Sequence, residues 1–102
     1  MKYNELLTVS DILNLLTHQL NLTPHQKGKN IFFLCPFHAD KNPSLSLEPN
    51  WKTFKCFSCR FSARNIFEFW VKYQKGNREV TAAEMQQALV EISRLGYFDL
   101  TE

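Results

Sequence analysis

No run of apolar residues in this 102-residue chain approaches the roughly 20 that a membrane-spanning helix requires. The opening residues, MKYNELLTVSD, lack the apolar block and cleavage site of a secretory signal. Both absences lead us to expect a cytoplasmic protein with no membrane partner. Glycine is scarce, with three in the whole chain, and none forms part of a phosphate-cradling loop. The chain has no cluster of carboxylates suited to catalytic magnesium and no Ser–His or Cys–His pair outside the cysteine motifs described below. We therefore expect no catalytic residues of its own. Cysteine is limited to three residues, which cannot pair off among themselves, so a disulfide framework explains them poorly and metal ligation explains them better.

An apolar fraction of 44%, with nine Phe and two Trp, is what a folded globule carries. We expect a single domain spanning residues 1–102, small enough that any extra cross-link matters to its stability. The spacing of Ile12, Leu13, Leu16 and Leu20 predicts a helix over Val9 to Gln19, with Thr8 or Ser10 as N-cap. The polar run from Asn21 to Asn30, broken by Pro24 and Gly28, reads as a loop. Strands are predicted at Ile31–Leu34, Ser44–Glu48 and Trp51–Cys56, with Asp40 to Pro43 as a turn and Pro49-Asn50 as a hairpin turn. A second helix is expected to open near Ser62 or Ala63 and to stop at Gly76. The third begins with the capping box Thr81-Ala82-Ala83-Glu84, carries Met85, Leu89 and Ile92 inward, and stops at Gly96. The fold class is α+β, a short antiparallel sheet with about three flanking helices.

Cys35-Pro36-Phe37-His38 and Cys56-Phe57-Ser58-Cys59 are two ligand pairs of the form C-x2-H and C-x2-C, separated by the seventeen residues Ala39 to Lys55. Each pair ends a predicted strand, where a tight turn can aim both side chains at one ion. A Cys3His set fills the tetrahedral shell of zinc, so the reading is one structural zinc held by Cys35, His38, Cys56 and Cys59. His18 and His25 are assigned to the surface, away from the metal.

Charge is uneven along the chain. Between Gln26 and Arg64 stand seven basic residues and two acidic ones, whereas the remainder holds five basic and eight acidic. The positive charge is thus concentrated around the cysteines, where it can meet a polyanion. Lys41, Lys52, Lys55, Arg60 and Arg64 are interleaved with aromatic residues, the composition of a surface for single-stranded nucleic acid. Phe33, Phe37 and Phe54 are assigned to the core, and Trp51, Lys55, Arg60 and Phe61 to the outside.

These residues resemble a known family, the N-terminal zinc-binding domain of DnaG-type bacterial primases. The resemblance runs through Asp11-Ile12-Leu13, Gly28-Lys29-Asn30, Cys35-Pro36-Phe37-His38, Lys41-x-Pro43-Ser44-Leu45, Phe54-Lys55-Cys56-Phe57-x-Cys59, Ile66-Phe67-Glu68-Phe69 and the closing helix from Glu84 to Leu95. It implies a zinc ribbon whose exposed sheet face contacts template DNA, with Lys41, Lys52, Lys55 and Arg60 as contributors. The family carries glycines inside and after its second ligand pair, where this chain has Ser58, Arg60, Ser62 and Ala63. A residue after the last cysteine often needs positive φ, so Arg60 raises the expectation of a different turn, or of a gained phosphate contact.

A complete primase of this family continues into a polymerising domain, and this chain ends at Glu102. The expectation is therefore an accessory subunit that binds single-stranded DNA through Lys41, Trp51, Lys52, Lys55, Arg60, Phe61 and Arg64 and supports a separate primase or polymerase chain, in the manner of a mobile element. The alternative is a zinc-stabilised interaction module that docks on a replication protein through Phe67, Trp70, Tyr73 and Tyr97-Phe98.

Overall fold

The structure is a computed structural model and describes residues 3–39, 41–76 and 78–98. After a short 3-10 turn, Tyr3–Glu5, helix α1 spans Val9–Leu20. Five strands follow: β1 His25–Lys27, β2 Asn30–Phe33, β3 Leu45–Glu48, β4 Thr53–Cys56 and β5 Ser62–Ala63. Helices α2, Ile66–Lys75, and α3, Ala82–Arg94, complete the described chain. The strands form one antiparallel meander in the order β1-β2-β3-β4-β5. This is the expected α+β architecture.

The helix ends follow from local chemistry. Thr8 and Thr81 each accept a bond from the backbone N–H three residues on, while Asp11 and Glu84 reach back to the cap N–H groups, so both helices open on reciprocal boxes. Asn21 ends α1 in the left-handed region at φ 59°, a conformation Asn tolerates better than most residues.

Three boundaries differ from expectation. The run from Asn21 to Asn30 is not all loop: His25–Lys27 pairs with Asn30–Phe32 across a turn in which Gly28 sits at φ +60°. All three β1 residues are exposed and polar, so the strand has no apolar alternation to betray it. The β3–β4 turn takes four residues, Pro49 to Lys52, rather than two. Glu48 holds it, its carboxylate accepting the Trp51 N–H at 2.7 Å and its carbonyl the Lys52 N–H at 2.7 Å. Trp51 and Lys52 therefore lie outside the strand. Ser62 and Ala63 pair with Lys55 and Phe54 as β5 instead of opening α2, which starts at Ile66 behind the Asn65 cap. Of the predicted turn after His38, Asp40 lies outside the described residues.

The pairing register sorts the sheet into two faces. Ile31, Leu47, Phe54 and Ala63 lie side by side across four strands, and all are buried against the helices. Phe33, Leu45 and Cys56 form the next inward row. Phe69 of α2 closes this layer, 4.6 Å from the Phe54 ring and 5.5 Å from that of Phe61. Full burial of one such side chain contributes about 1.5–3 kcal/mol. The opposite face carries the row His25, Phe32, Ser46, Lys55 and Ser62. Helices α2 and α3 are joined by the Trp70 Nε1–H bond to Glu91 at 2.8 Å.

Candidate metal centre and nucleic-acid face

Strands β2 and β4 run antiparallel to β3, so the end of each delivers a ligand pair to the same end of the sheet. Cys35 and His38 stand in the turn after β2. Cys56 ends β4, and Cys59 follows in the tight turn to β5. The ligand atoms of all four lie within 4.8 Å of one another. Cys35 Sγ is 3.6 Å from Cys59 Sγ, and Cys56 Sγ is 3.4 Å from His38 Nε2. Sulfurs at about 2.3 Å from a tetrahedral zinc stand about 3.8 Å apart, so these spacings fit that ion.

The surrounding groups fix the donors. The Ala39 carbonyl, 3.1 Å from His38 Nδ1, can only accept, which places the ring proton on Nδ1 and leaves the Nε2 lone pair for the metal. Burial pushes the Cys35 thiol up to about 12 although the Phe37 N–H works the other way, and hydrogen bonding to the Cys59 and Cys56 sulfurs with Coulombic repulsion from Cys56 adds to the rise. Burial also raises Cys56, but bonds from Ser44, the Cys59 N–H, His38 and the Ser58 N–H outweigh it and bring that thiol to about 6. Cys35 and Cys56 are thus pushed in opposite directions, and a divalent cation between them favours the thiolate of both. A complete Cys3His shell makes its role structural.

The turn that carries Cys59 answers the question raised by Arg60. Arg60 adopts φ +63°, so the left-handed turn is kept without glycine. The Cys59 N–H points at Cys56 Sγ at 3.5 Å, and the Cys56 N–H donates to the Phe61 carbonyl at 2.8 Å, closing the knuckle.

The structure divides the predicted nucleic-acid residues. Lys55 and Arg60 are exposed beside the zinc, and with Phe57 and Ser62 they line an open concavity of about 620 Å3 on the outward face. Lys41 is exposed in the loop between His38 and β3. Trp51, Lys52 and Arg64 gather at the opposite end of β4 instead. Phe61 requires a correction: it is 0% exposed, its ring stacked 4.1 Å from Phe37. The left-handed Arg60 reverses the chain and turns the next side chain inward. The exposed aromatic at this end is Phe57, at 63%, with Lys55 Nζ 5.7 Å from its ring centre and Phe32 at 6.4 Å. Carrying the β4 alternation one residue past Cys56 would have found it. His18 and His25 are exposed and outside the metal cluster, as expected. Of the aromatics assigned to a docking surface, Phe67 and Trp70 are buried, Phe67 against the rings of Tyr3 and Phe98 and Trp70 bonded to Glu91 of α3.

The family model of the CHC2 zinc finger, the DnaG zinc ribbon, matches residues 1–95. The chain belongs to the CHC2 zinc-finger family of DnaG-type primases. It is 30% identical over 86 residues to the DNA primase of Listeria monocytogenes, covering 84% of this chain and 13% of that protein. It is 49% identical over 41 residues to that of Mycoplasma pneumoniae, 40% of this chain and 7% of the other. The crystal structure of the zinc-binding and RNA polymerase domains of the Aquifex aeolicus primase superposes with a TM-score of 0.65 at 28% identity, over 88% of this chain and 20% of that one. The CHC2 chain thus spans a small fraction of the primases it matches. It has the fold of a primase zinc-binding domain, and its Cys3His cluster holds one structural zinc. Among the described residues no helix is long and apolar enough to cross a membrane.

Proposed function

We propose that this CHC2 chain binds single-stranded DNA on the outward face of its sheet and acts, without catalytic residues of its own, as an accessory subunit to a separate primase or polymerase. The observation that carries the reading is the concavity beside the zinc, where Lys55, Phe57, Arg60 and Ser62 meet with no carboxylate among them. Lys55 and Arg60 suit phosphates, the exposed Phe57 ring suits an unpaired base, and the Ser62 hydroxyl adds a hydrogen-bonding group. The zinc contributes by fixing the knuckle on which Phe57 and Arg60 stand. Loss of one stacking aromatic removes about 1–3 kcal/mol per base.

Fluorescence anisotropy with a labelled oligothymidylate tests this reading. Affinity should fall steeply as salt rises, and the Phe57→Ala and Lys55→Ala variants should bind more weakly with unchanged zinc content. Binding that ignores both salt and these substitutions would rule out the assignment of this face. The accessory role is tested separately, by stimulation of primer synthesis when the chain is added to a polymerase encoded beside it.

A further inference from the structure

A second cleft, of about 750 Å3, opens at the end of β4 farthest from the zinc, between the β3–β4 turn, the Tyr3–Glu5 turn and the starts of α2 and α3. Its inner wall is apolar, formed by Tyr3, Val80 and Met85, which pack partly buried against the core. Its outer edge carries Trp51, Lys52 and Arg64, with Glu5 as the acidic member.

Two features set this edge apart from an ordinary solvated surface. Trp51 is 71% exposed. Its turn is held by the two Glu48 bonds and by Lys52 at φ +58°, so the indole is presented from a fixed backbone. A rigid exposed Trp beside Tyr, Met and Arg has the composition of an interface centre, and little conformational entropy is lost when it is covered. The second feature is the ion pair of Arg64 with Glu68 at 3.1 Å. The guanidinium side chain is 86% exposed and the carboxylate side chain 8%, so the pair shows solvent its positive half. Among the described residues that line the cleft, Lys52 and Arg64 are cationic and Glu5 is anionic, while Glu68 lies buried behind Arg64.

We propose that this cleft docks a segment of a partner protein in which a leucine or aromatic side chain stands between carboxylates. The apolar group would enter between Trp51 and Met85 while its acidic neighbours face Arg64 and Lys52. The apolar wall and Glu5 argue against a nucleic acid strand as the occupant. That the partner is the polymerising chain rests on the proposed function; the chemistry of the cleft does not.

The test is two-dimensional NMR of the full zinc-loaded chain, titrated with a panel of short peptides carrying Leu or Phe between Asp and Glu. Matched peptides with Lys in place of the acids and an oligothymidylate serve as comparisons. Acidic peptides should move the Trp51 indole signal and those of Asn50, Arg64 and Met85. Trp51→Ala and Arg64→Gln should each weaken binding about tenfold or more, with the remaining spectrum intact. The proposal is overturned if no acidic peptide moves these signals, if the Lys peptides bind equally well, or if the oligothymidylate is what moves them. DNA shifts confined to Lys55 and Phe57 test the other face independently, so either assignment can fail without the other.

Discussion

The inward and outward faces of the sheet are made of the same residue types with opposite consequences. Phe33, Phe54 and Phe61 lie inward and reach zero or near-zero exposure, whereas Phe57, one residue past the strand, is mostly in water. Lys72, under the sheet, bonds the buried Glu68 carboxylate at 3.3 Å and the Ser62 carbonyl at 2.8 Å; Lys55, above it, stands over Phe57. An aromatic or a cation in this chain therefore has no fixed meaning. The pleat of the strands and the zinc knuckle decide which face each one serves.

The largest break in that comparison should come from the metal. Structural zinc binds small peptides with about 10–16 kcal/mol at neutral pH, as much as or more than the whole stability of a typical domain. Chelation, or Cys56→Ser, should abolish the near-UV circular dichroism of the aromatic core and the cooperative melting transition together. An aromatic core that persisted unchanged in zinc-free protein would show that the inward face does not depend on the knuckle.

Substitutions on single rings sharpen the contrast. Phe69→Ala removes the ring that meets Phe54, Phe61 and Phe37, and should cost about 3–5 kcal/mol in urea unfolding. Phe57→Ala and Trp51→Ala, on exposed positions, should shift the same transition by less than about 0.5 kcal/mol. Equal effects from the three would erase the distinction between faces.

Arg60 permits a finer separation of stability from function. A non-glycine residue in the left-handed region costs roughly 1–2 kcal/mol, partly offset in a glycine variant by the greater entropy of its unfolded chain. Arg60→Gly should therefore raise stability by up to about 1 kcal/mol while lowering the salt slope of DNA binding by about one. Lower stability with intact DNA affinity would mean that the side chain serves the fold rather than the ligand.

These contrasts also show what was legible in the sequence. The zinc ligands could be read because Cys-x2-His and Cys-x2-Cys are local patterns with a single chemical outcome. Helices α1 and α3 could be read because capping boxes are written within four residues. The faces of β4 could be read from Thr53 onward, since alternation fixes them. Strand β1 was hidden because a fully exposed edge strand has no apolar period, and β5 because two residues are too few to show one. Phe61 was misassigned because its direction depends on a backbone reversal at Arg60, which its own residue type does not announce. The second cleft joins the start of the chain to Val80, Ala82 and Met85, and no local pattern predicts that meeting.

The smallest predicted effect lies away from both faces, at the start of α3. Glu84 is bonded to Arg78, to the Thr81 N–H and to Lys75, and these hold its carboxyl well below the usual carboxylate range. In the unfolded chain it titrates near about 4.3. Above that value both states carry the charge and the full benefit is present; as the pH falls through the window between the two values, the unfolded state takes up the proton first and the benefit declines. Glu84→Gln should accordingly melt below the parent by a constant margin from neutral pH down to about 5, and the margin should shrink in more acidic solution. Acid also releases zinc, but it does so in parent and variant alike, so their difference isolates the carboxylate. A margin that stayed constant into strong acid would assign the loss to packing or capping by the neutral side chain and not to the charge.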